Sequence, residues 1–251
     1  MSGHSKWSTI KHKKGAADAK RGKLFTKLSK AIIVAAKEGG ADPAANLSLQ
    51  NAIEKAKSYS MPKDTIERAI ARGSGADADA DSFEQVVYEG YGPSGVAVIV
   101  EALTDNRNRT AADVRAAFSK YDGNLGGSGA VAWLFERRGV ILVDADRFDE
   151  DELTLAAAEG GADDVEQDGS SFRVTATPES LTAVREAIEA AGMEVESAEL
   201  TMIPKTTVNL EDESAAKKTL KLMDALEEND DVQEVYANFD IPEQVMEAVA
   251  T

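Results

Sequence analysis

A complete α+β domain is encoded within one short stretch of this sequence, residues 139–204. Its segments read in turn as a strand, a helix, a hairpin, a helix and a strand: GVILVD, DEDELTLAAAEGG, DDVEQDGSSFRVTATP, PESLTAVREAIEAAG and MEVESAELTMIP. Strand-helix-strand-strand-helix-strand is the order of a ferredoxin-like domain. The stretch therefore predicts one such domain.

The segments that flank this stretch each read as half of a second domain. Before it, SFEQVVYEGYGPSGVAVIVEALT predicts two strands around a turn, followed by a helix over 110–120 and the strand AVAWLFE. Thr110 with Asp113 resembles a capping box, which predicts that this helix starts at Thr110. After it come TTVNL, a helix over ESAAKKTLKLMDALEE and the strand DVQEVYANF. Together the halves predict a second βαββαβ unit, with the first one inserted into it.

Three helices are predicted before a short acidic linker, GSGADADADS. Apolar residues fall on one arc of the first helix and lysines on the opposite arc; the apolar ones are Leu24, Phe25, Leu28, Ile32 and Ala35. SLQNAIEKAKSY predicts the second helix. PKDTIERAIAR predicts the third, with Pro62 at its first position and Gly73 ending it.

The predicted fold class is therefore a multidomain α+β protein. An N-terminal three-helix domain is followed by two ferredoxin-like α+β domains, one inserted into the other. The predicted boundaries are 1–76 for the basic helical domain, 77–138 plus 205–251 for the discontinuous α+β domain, and 139–204 for the inserted domain.

Opposite charges are segregated along the chain. The formal net charge is −17, yet residues 1–30 hold nine Lys/Arg and one acid, whereas residues 76–251 hold 13 Lys/Arg and 39 Asp/Glu. Clustered cations without acidic partners suit phosphate neutralisation, because each one displaces a condensed counterion. The basic segment therefore predicts a nucleic acid, or a particle that contains one, as the partner. The alternative is an ordinary solvated helix face.

Several function classes are disfavoured by composition and pattern. The chain has no cysteine, which excludes disulfides and thiolate chemistry and fits a reducing compartment. No apolar run approaches the roughly 20 residues of a membrane span, so we expect a cytoplasmic protein without membrane contact. The two histidines match no familiar metal spacing, and no nucleophile has an adjacent base. We therefore expect no enzyme, no metal or cofactor and no small-molecule substrate.

The acidic clusters DADRFDEDE, GADDVEQD and EENDDV read as helix starts and solvated edges. A two-metal nuclease is the alternative reading, but no histidine or lysine accompanies them. They are therefore not counted among the candidate site residues.

The candidate nucleic-acid-binding residues lie in the N-terminal arm, in the first helix and in the loop TDNRNRT. Trp7 either stacks on a base or anchors the arm by burying its ring. In the loop, two arginines next to a helix start suit phosphate binding, and the alternative is a turn in which they pair with Asp105. The candidates are His4, Lys6, Trp7, Lys11, His12, Lys13, Lys14, Lys20, Arg21, Lys23, Lys27, Lys30, Arg107 and Arg109.

Long motifs spread over essentially the whole chain resemble the YebC/PmpR family. They are GHSKW, KHKK, DAKRGKLFTKL, NAIEKAKSYSMPKDTIERAIARGSG, YEGYGPSGVA, LTDNRNRTAADVR, ELTMIP and DVQEVYANF. The resemblance implies an N-terminal helical domain followed by two α+β domains, one inserted in the other. The chain departs from the family pattern at Leu47, where proline is common, and at Ala102, where cysteine is common.

The resemblance implies a regulator of gene expression with one of two targets. Some family members bind promoter DNA, and others act on the ribosome during difficult elongation. The first helix offers lysines but no Asn, Gln or Arg cluster to read base edges, which favours RNA or the ribosome over duplex DNA. On this reading, reversing Lys20, Lys23, Lys27 and Lys30 to Glu should leave the helices folded. Replacing Arg107 and Arg109 with Ala should cost little stability.

Overall fold

The computed structural model describes residues 18–75 and 83–250, and these form two compact units. One unit consists of residues 133–207. The other consists of the described residues up to 132 together with those from 208 onward.

In chain order the described helices are α1 (Asp18–Gly39), α2 (Leu47–Ser58), α3 (Lys63–Ser74), α4 (Arg107–Lys120), α5 (Glu150–Glu159), α6 (Leu181–Ala190), α7 (Glu213–Glu227) and α8 (Glu243–Ala250). The strands are β1 (Glu84–Tyr91), β2 (Ala97–Thr104), β3 (Asn124–Leu125), β4 (Phe135–Asp144), β5 (Ala162–Asp168), β6 (Ser171–Ala176), β7 (Val195–Pro204), β8 (Val208–Asn209), β9 (Val232–Ala237) and β10 (Phe239–Asp240).

Helices α1, α2 and α3 pack into a small bundle, hereafter the helical bundle. Ile32 of α1 and Leu49 of α2 are completely buried in its core, as the apolar periodicity predicts. Gly73 was expected to end α3, but it lies inside the helix. A Cβ at this position would come within 2.3 Å of the Ile33 carbonyl oxygen. Gly73 therefore lets α1 and α3 cross closely.

The unit of residues 133–207 holds one four-stranded antiparallel sheet in the order β5-β6-β4-β7. Helices α5 and α6 pack together over a core that includes Ile141, Leu153, Val174 and Ile188. This is the predicted ferredoxin-like arrangement. The segments AVAWLFE and GVILVD, expected as separate strands, instead contribute to the single strand β4, which starts at Phe135.

The other four-stranded sheet runs β3-β1-β2-β9 and is antiparallel throughout. We call it, with α4 and α7, the sheet domain. Its hairpin β1–β2 comes first in the chain, so its elements run ββαβ and then αβ rather than in the expected βαββαβ order. The connecting turn has Gly95 at φ 79°, a conformation that glycine adopts without strain.

The predicted fold class is confirmed: N-terminal helices are followed by two domains built from antiparallel sheets and helices. The α7 side chains Leu222, Met223 and Leu226 are buried. These side chains belong to the segment after residue 207, and they pack in one core with the segment before residue 133. The three domain boundaries given above remain a prediction.

Candidate nucleic-acid interface

Three of the predicted site residues lie on one face of α1, at the spacing i, i+4, i+7 that a helix places in line. We call Lys23, Lys27 and Lys30 the lysine face. Each ammonium donates a hydrogen bond to a backbone carbonyl about 200 positions later in the chain. The acceptors are the oxygens of Glu228 (3.3 Å from Lys23), Glu227 (for Lys27) and Asp230 (3.0 Å from Lys30).

These acceptors lie in residues 227–231, the last residue of α7 and the turn that follows it, hereafter the α7 end. The last carbonyls of a helix lack partners within the helix and carry the negative end of its dipole. Helix α7 has no basic residue in its last turn to offset them. The lysine face supplies that missing positive charge from another part of the chain.

We call the segment TDNRNRT, residues 104–110, the arginine loop. Asp231 binds both the lysine face and this loop. Lys30 Nζ donates to its Oδ1 at 2.9 Å, and Arg109 Nη2 and Thr110 Oγ1 donate to its Oδ2 at 2.7 and 2.8 Å. Its side chain is only 7% exposed. Burial favours a higher pKa, but the hydrogen bonds from Arg109, Lys30 and Thr110 outweigh it and lower the pKa of Asp231 to about 2.

Sequence reasoning missed Asp231, which it read as part of a solvated acidic edge in EENDDV. Its partners Lys30, Arg109 and Thr110 lie 121 to 201 positions away. No local spacing connects such residues. The sequence held only an indirect sign of this site. It allowed that the arginines of the loop pair with an acid of the protein, but the acid it suggested was Asp105.

The arginine loop opens α4 three residues earlier than predicted. Helix α4 begins at Arg107, and the Asn106 side chain caps it by accepting from the Arg109 backbone N–H at 3.1 Å. Thr110 is therefore not the cap but a buried residue of the first turn. Its hydroxyl lies within hydrogen-bond distance of Asp231 and Thr104.

The two arginines of the loop have different surroundings. Arg109 is bonded to Asp105 at 2.8 Å as well as to Asp231, and these bonds raise its pKa. Arg109 thus adopts the internally paired alternative. Arg107 is exposed and forms no ion pair with another described residue, while its carbonyl accepts from the Tyr88 hydroxyl at 3.3 Å.

Lys20 and Arg21 lie in the first turns of α1. Seven candidates lie outside the described residues, namely His4, Lys6, Trp7, Lys11, His12, Lys13 and Lys14. Their assignment to nucleic-acid binding stays a prediction.

We expect Arg109→Ala to lower the melting temperature clearly and Arg107→Ala to leave it nearly unchanged. The first substitution leaves the buried Asp231 without one of its two cationic partners, whereas the second removes an exposed side chain. This revises the sequence-based expectation that both would be tolerated. Thermal unfolding of each single variant measures the two melting temperatures. Equal shifts would contradict the assignment of Arg109 as the partner of Asp231 and of Arg107 as an exposed side chain.

The lysine-reversal variant must also be reinterpreted. Glutamates at Lys23, Lys27 and Lys30 would face the carbonyl oxygens of the α7 end and the carboxylate of Asp231. That the helical bundle still folds stays a prediction, but the reversal would also disturb its contact with the α7 end. Any loss of nucleic-acid binding by that variant would be confounded with a structural change.

Residues 18–75 and 83–250 lack the features of two other site classes. None of the helices there combines the length and hydropathy that a membrane span requires. That part of the chain also contains no group of three or more His, Cys, Asp or Glu placed to hold a metal ion.

Comparison with known proteins gives matches along the chain. Residues 5–76 match the model of the TACO1/YebC protein N-terminal domain, and residues 83–239 match that of the TACO1/YebC second and third domain. A protein of Rubrobacter xylanophilus is 63% identical over 250 residues and one of Halothermothrix orenii 55% over 251 residues. These alignments cover 100% and 99% of each chain, and both relatives are named probable transcriptional regulatory protein.

A solved structure is also similar. The crystal structure of a conserved hypothetical protein from Aquifex aeolicus superposes with a TM-score of 0.81 at 51% identity. The alignment covers 90% of this chain and 93% of that one.

Proposed function

Because this chain belongs to the TACO1/YebC family, we propose that it is a non-enzymatic, nucleic-acid-binding regulator of gene expression. We favour an RNA- or ribosome-associated translation factor that eases stalled elongation. The observation that carries the proposal is the segregation of charge, with nine Lys/Arg against one acid in residues 1–30 of a chain whose net charge is −17. Clustered cations of this kind bind phosphate backbones.

The chemistry of α1 supports RNA or the ribosome over a specific DNA site. A helix that reads the major groove presents side chains such as Arg, Asn or Gln to base edges. In α1 the cations are mostly lysines, which sense charge and shape, and three of them are engaged with the α7 end. The acidic remainder repels naked nucleic acid but suits a ribosomal cleft near basic proteins.

A second candidate is a DNA-binding regulator that acts at promoters. The observation that favours it is the name shared by the similar proteins of Rubrobacter xylanophilus and Halothermothrix orenii, probable transcriptional regulatory protein. Either role places the protein in the cytoplasm, where the absence of cysteine is ordinary. Neither role needs a cofactor or a small-molecule substrate.

The arm lysines provide a cleaner test than the lysine face. We expect Lys13→Glu with Lys14→Glu to weaken binding to ribosomes and to RNA of any sequence, because phosphate contacts position a protein without specifying a base. The slope of log affinity against log salt should flatten by roughly 0.7–0.9 per lost contact. The matched control is Lys217→Glu with Lys221→Glu, the same charge change on exposed positions of α7.

Sedimentation with ribosomes and salt-dependent RNA titrations measure these effects. Equal weakening by the arm variant and the α7 control would contradict a specific role for the arm. If one duplex DNA sequence is bound at least ~10³-fold more tightly than random DNA, the promoter role replaces the translational one.

A further inference from the structure

The α7 end resembles a polyanion in its chemistry. Residues 227–231 read Glu-Glu-Asn-Asp-Asp, so four acidic side chains accompany the backbone carbonyls at the negative end of the helix dipole. This segment faces the lysine face of α1, one of the most basic surfaces of the described chain. The lysine face and the α7 end are therefore oppositely charged surfaces of one molecule that bind each other.

The contact ties the helical bundle to the sheet domain. Lys30 is well enclosed, with a side chain 16% exposed and its ammonium 5.4 Å from the centre of the Phe83 ring. A second ion pair joins the two parts where Lys55 of α2 meets Glu234 of β9. Both acids, Asp231 and Glu234, lie at or near the start of β9.

Phosphate oxygens and the oxygens of the α7 end interact with a lysine ammonium in the same way. Both accept hydrogen bonds from the ammonium and both gain from its charge. The lysine face cannot point at both at once, because its ammoniums already lie 2.9 to 3.3 Å from the oxygens of Glu228, Asp230 and Asp231. Nucleic acid and the α7 end are therefore competitors.

We propose that the lysine face is a shared site with an autoinhibitory occupant. In the free protein the α7 end covers it, and a phosphate backbone displaces the α7 end and releases the helical bundle from the sheet domain. The proposal rests on the nucleic-acid-binding function proposed above and adds a regulatory contact to it.

Weakening the acidic side of the contact should tighten nucleic-acid binding. Asp231→Asn and Glu234→Gln keep every cation of the protein but remove the charges that hold Lys30 and Lys55. We expect each variant to bind a fluorescent RNA hairpin about 5- to 20-fold more tightly, because the binding-competent state becomes more populated. The matched control is Glu211→Gln, an equal charge change at an exposed residue outside the contact, which should change affinity by less than about twofold.

Two variants are used because Asp231 also supports Arg109 and Thr110. A misfolded Asp231→Asn protein would show no cooperative unfolding. Glu234→Gln then carries the test alone, since Glu234 forms a separate ion pair with Lys55.

Release of the helical bundle can be observed directly by energy transfer between two dyes. The absence of cysteine allows specific labelling of Ala71→Cys on α3 and Ser214→Cys on α7, both exposed positions. Adding the RNA hairpin, or a duplex DNA in a parallel titration, should lower the transfer efficiency. Asp231→Asn should lower it before any nucleic acid is added.

The outcomes separate this inference from the function on which it rests. If the unmodified protein binds the probe with constant energy transfer, and Asp231→Asn and Glu234→Gln bind no more tightly than Glu211→Gln, the shared site is wrong and the proposed function stands. If neither the unmodified protein nor any variant binds RNA or DNA, both proposals are overturned. Binding that appears only in Asp231→Asn or Glu234→Gln supports both.

Discussion

Deletion of residues 205–251 should yield an aggregating product that does not unfold cooperatively. The deletion removes α7 and β9, and with them the buried side chains of Leu222, Met223 and Leu226. It also exposes the apolar strand β2, whose edge pairs with β9 in the native sheet. Each buried side chain contributes about 1.5–3 kcal/mol, so their combined loss is comparable to the whole stability of a domain, about 5–15 kcal/mol.

The matched control removes residues 135–204, which is more of the chain than the deletion of 205–251 removes. A short Gly-Ser linker replaces them. The chain enters and leaves this unit at one point, since the Lys205 backbone N–H donates to the Leu134 carbonyl at 2.8 Å. Excision at 139 would leave the first residues of β4 without their partner β7. We expect the excised protein to be soluble, and light scattering with thermal unfolding compares the two. A soluble, cooperatively melting 1–204 product would contradict the discontinuous domain.

Replacement of Asp231 by Ala should cost about 3–5 kcal/mol of unfolding free energy, the range for breaking a buried ion pair by removing one partner. Lys30 and Arg109 would be left facing each other without the carboxylate that pairs with both. Urea denaturation measures the loss. Asp230→Ala is the control, because that neighbouring side chain is exposed and such changes usually fall within about 0.5 kcal/mol. Similar losses for the two variants would contradict the assignment.

The contribution of Asp231 should also depend on pH. Its pKa is about 2 in the folded protein, below the ordinary aspartate value of 3.8. A lowered folded pKa gives stability that is complete above the unfolded pKa and is lost as the pH falls through the folded one. We therefore expect the stability gap between the unmodified protein and Asp231→Ala to shrink by about 2 kcal/mol between about pH 5 and pH 1. A gap that stays constant over this range would exclude the ion pairs as its source.

Most elements could be predicted from the sequence because their signals are local. Helix α5 lies within DEDELTLAAAEGG and is capped by the side chain of Asp149, and the hairpin of β5 and β6 starts at Ala162, one residue before its predicted segment, and ends inside that segment. The single strand β4 could not be predicted in the same way. Arg137, Arg138 and Gly139 interrupt its apolar pattern, and only the long ladder with β7 keeps it continuous.

The candidate site was less predictable because its contacts are distant in sequence. Helical periodicity shows that Lys23, Lys27 and Lys30 point away from the core of the helical bundle. It cannot tell whether they point toward solvent or toward another element. Their acceptors lie about 200 positions later, at a helix end that was recognised only as acidic. The error at Thr110 has the same origin, since Asp231 sets its role.

The split sheet domain has a consequence for the newly made chain. Strand β2 ends at Thr104, and its partner β9 is complete only at Ala237. At the ordinary pace of synthesis the edge of β2 waits on the order of 10 s for its neighbour. The unit of residues 133–207 is finished first and can fold during the delay. The lysine face waits even longer for the α7 end, which lies about 200 positions later, so an unfinished chain presents its most basic helix uncovered to the ribosome that is making it.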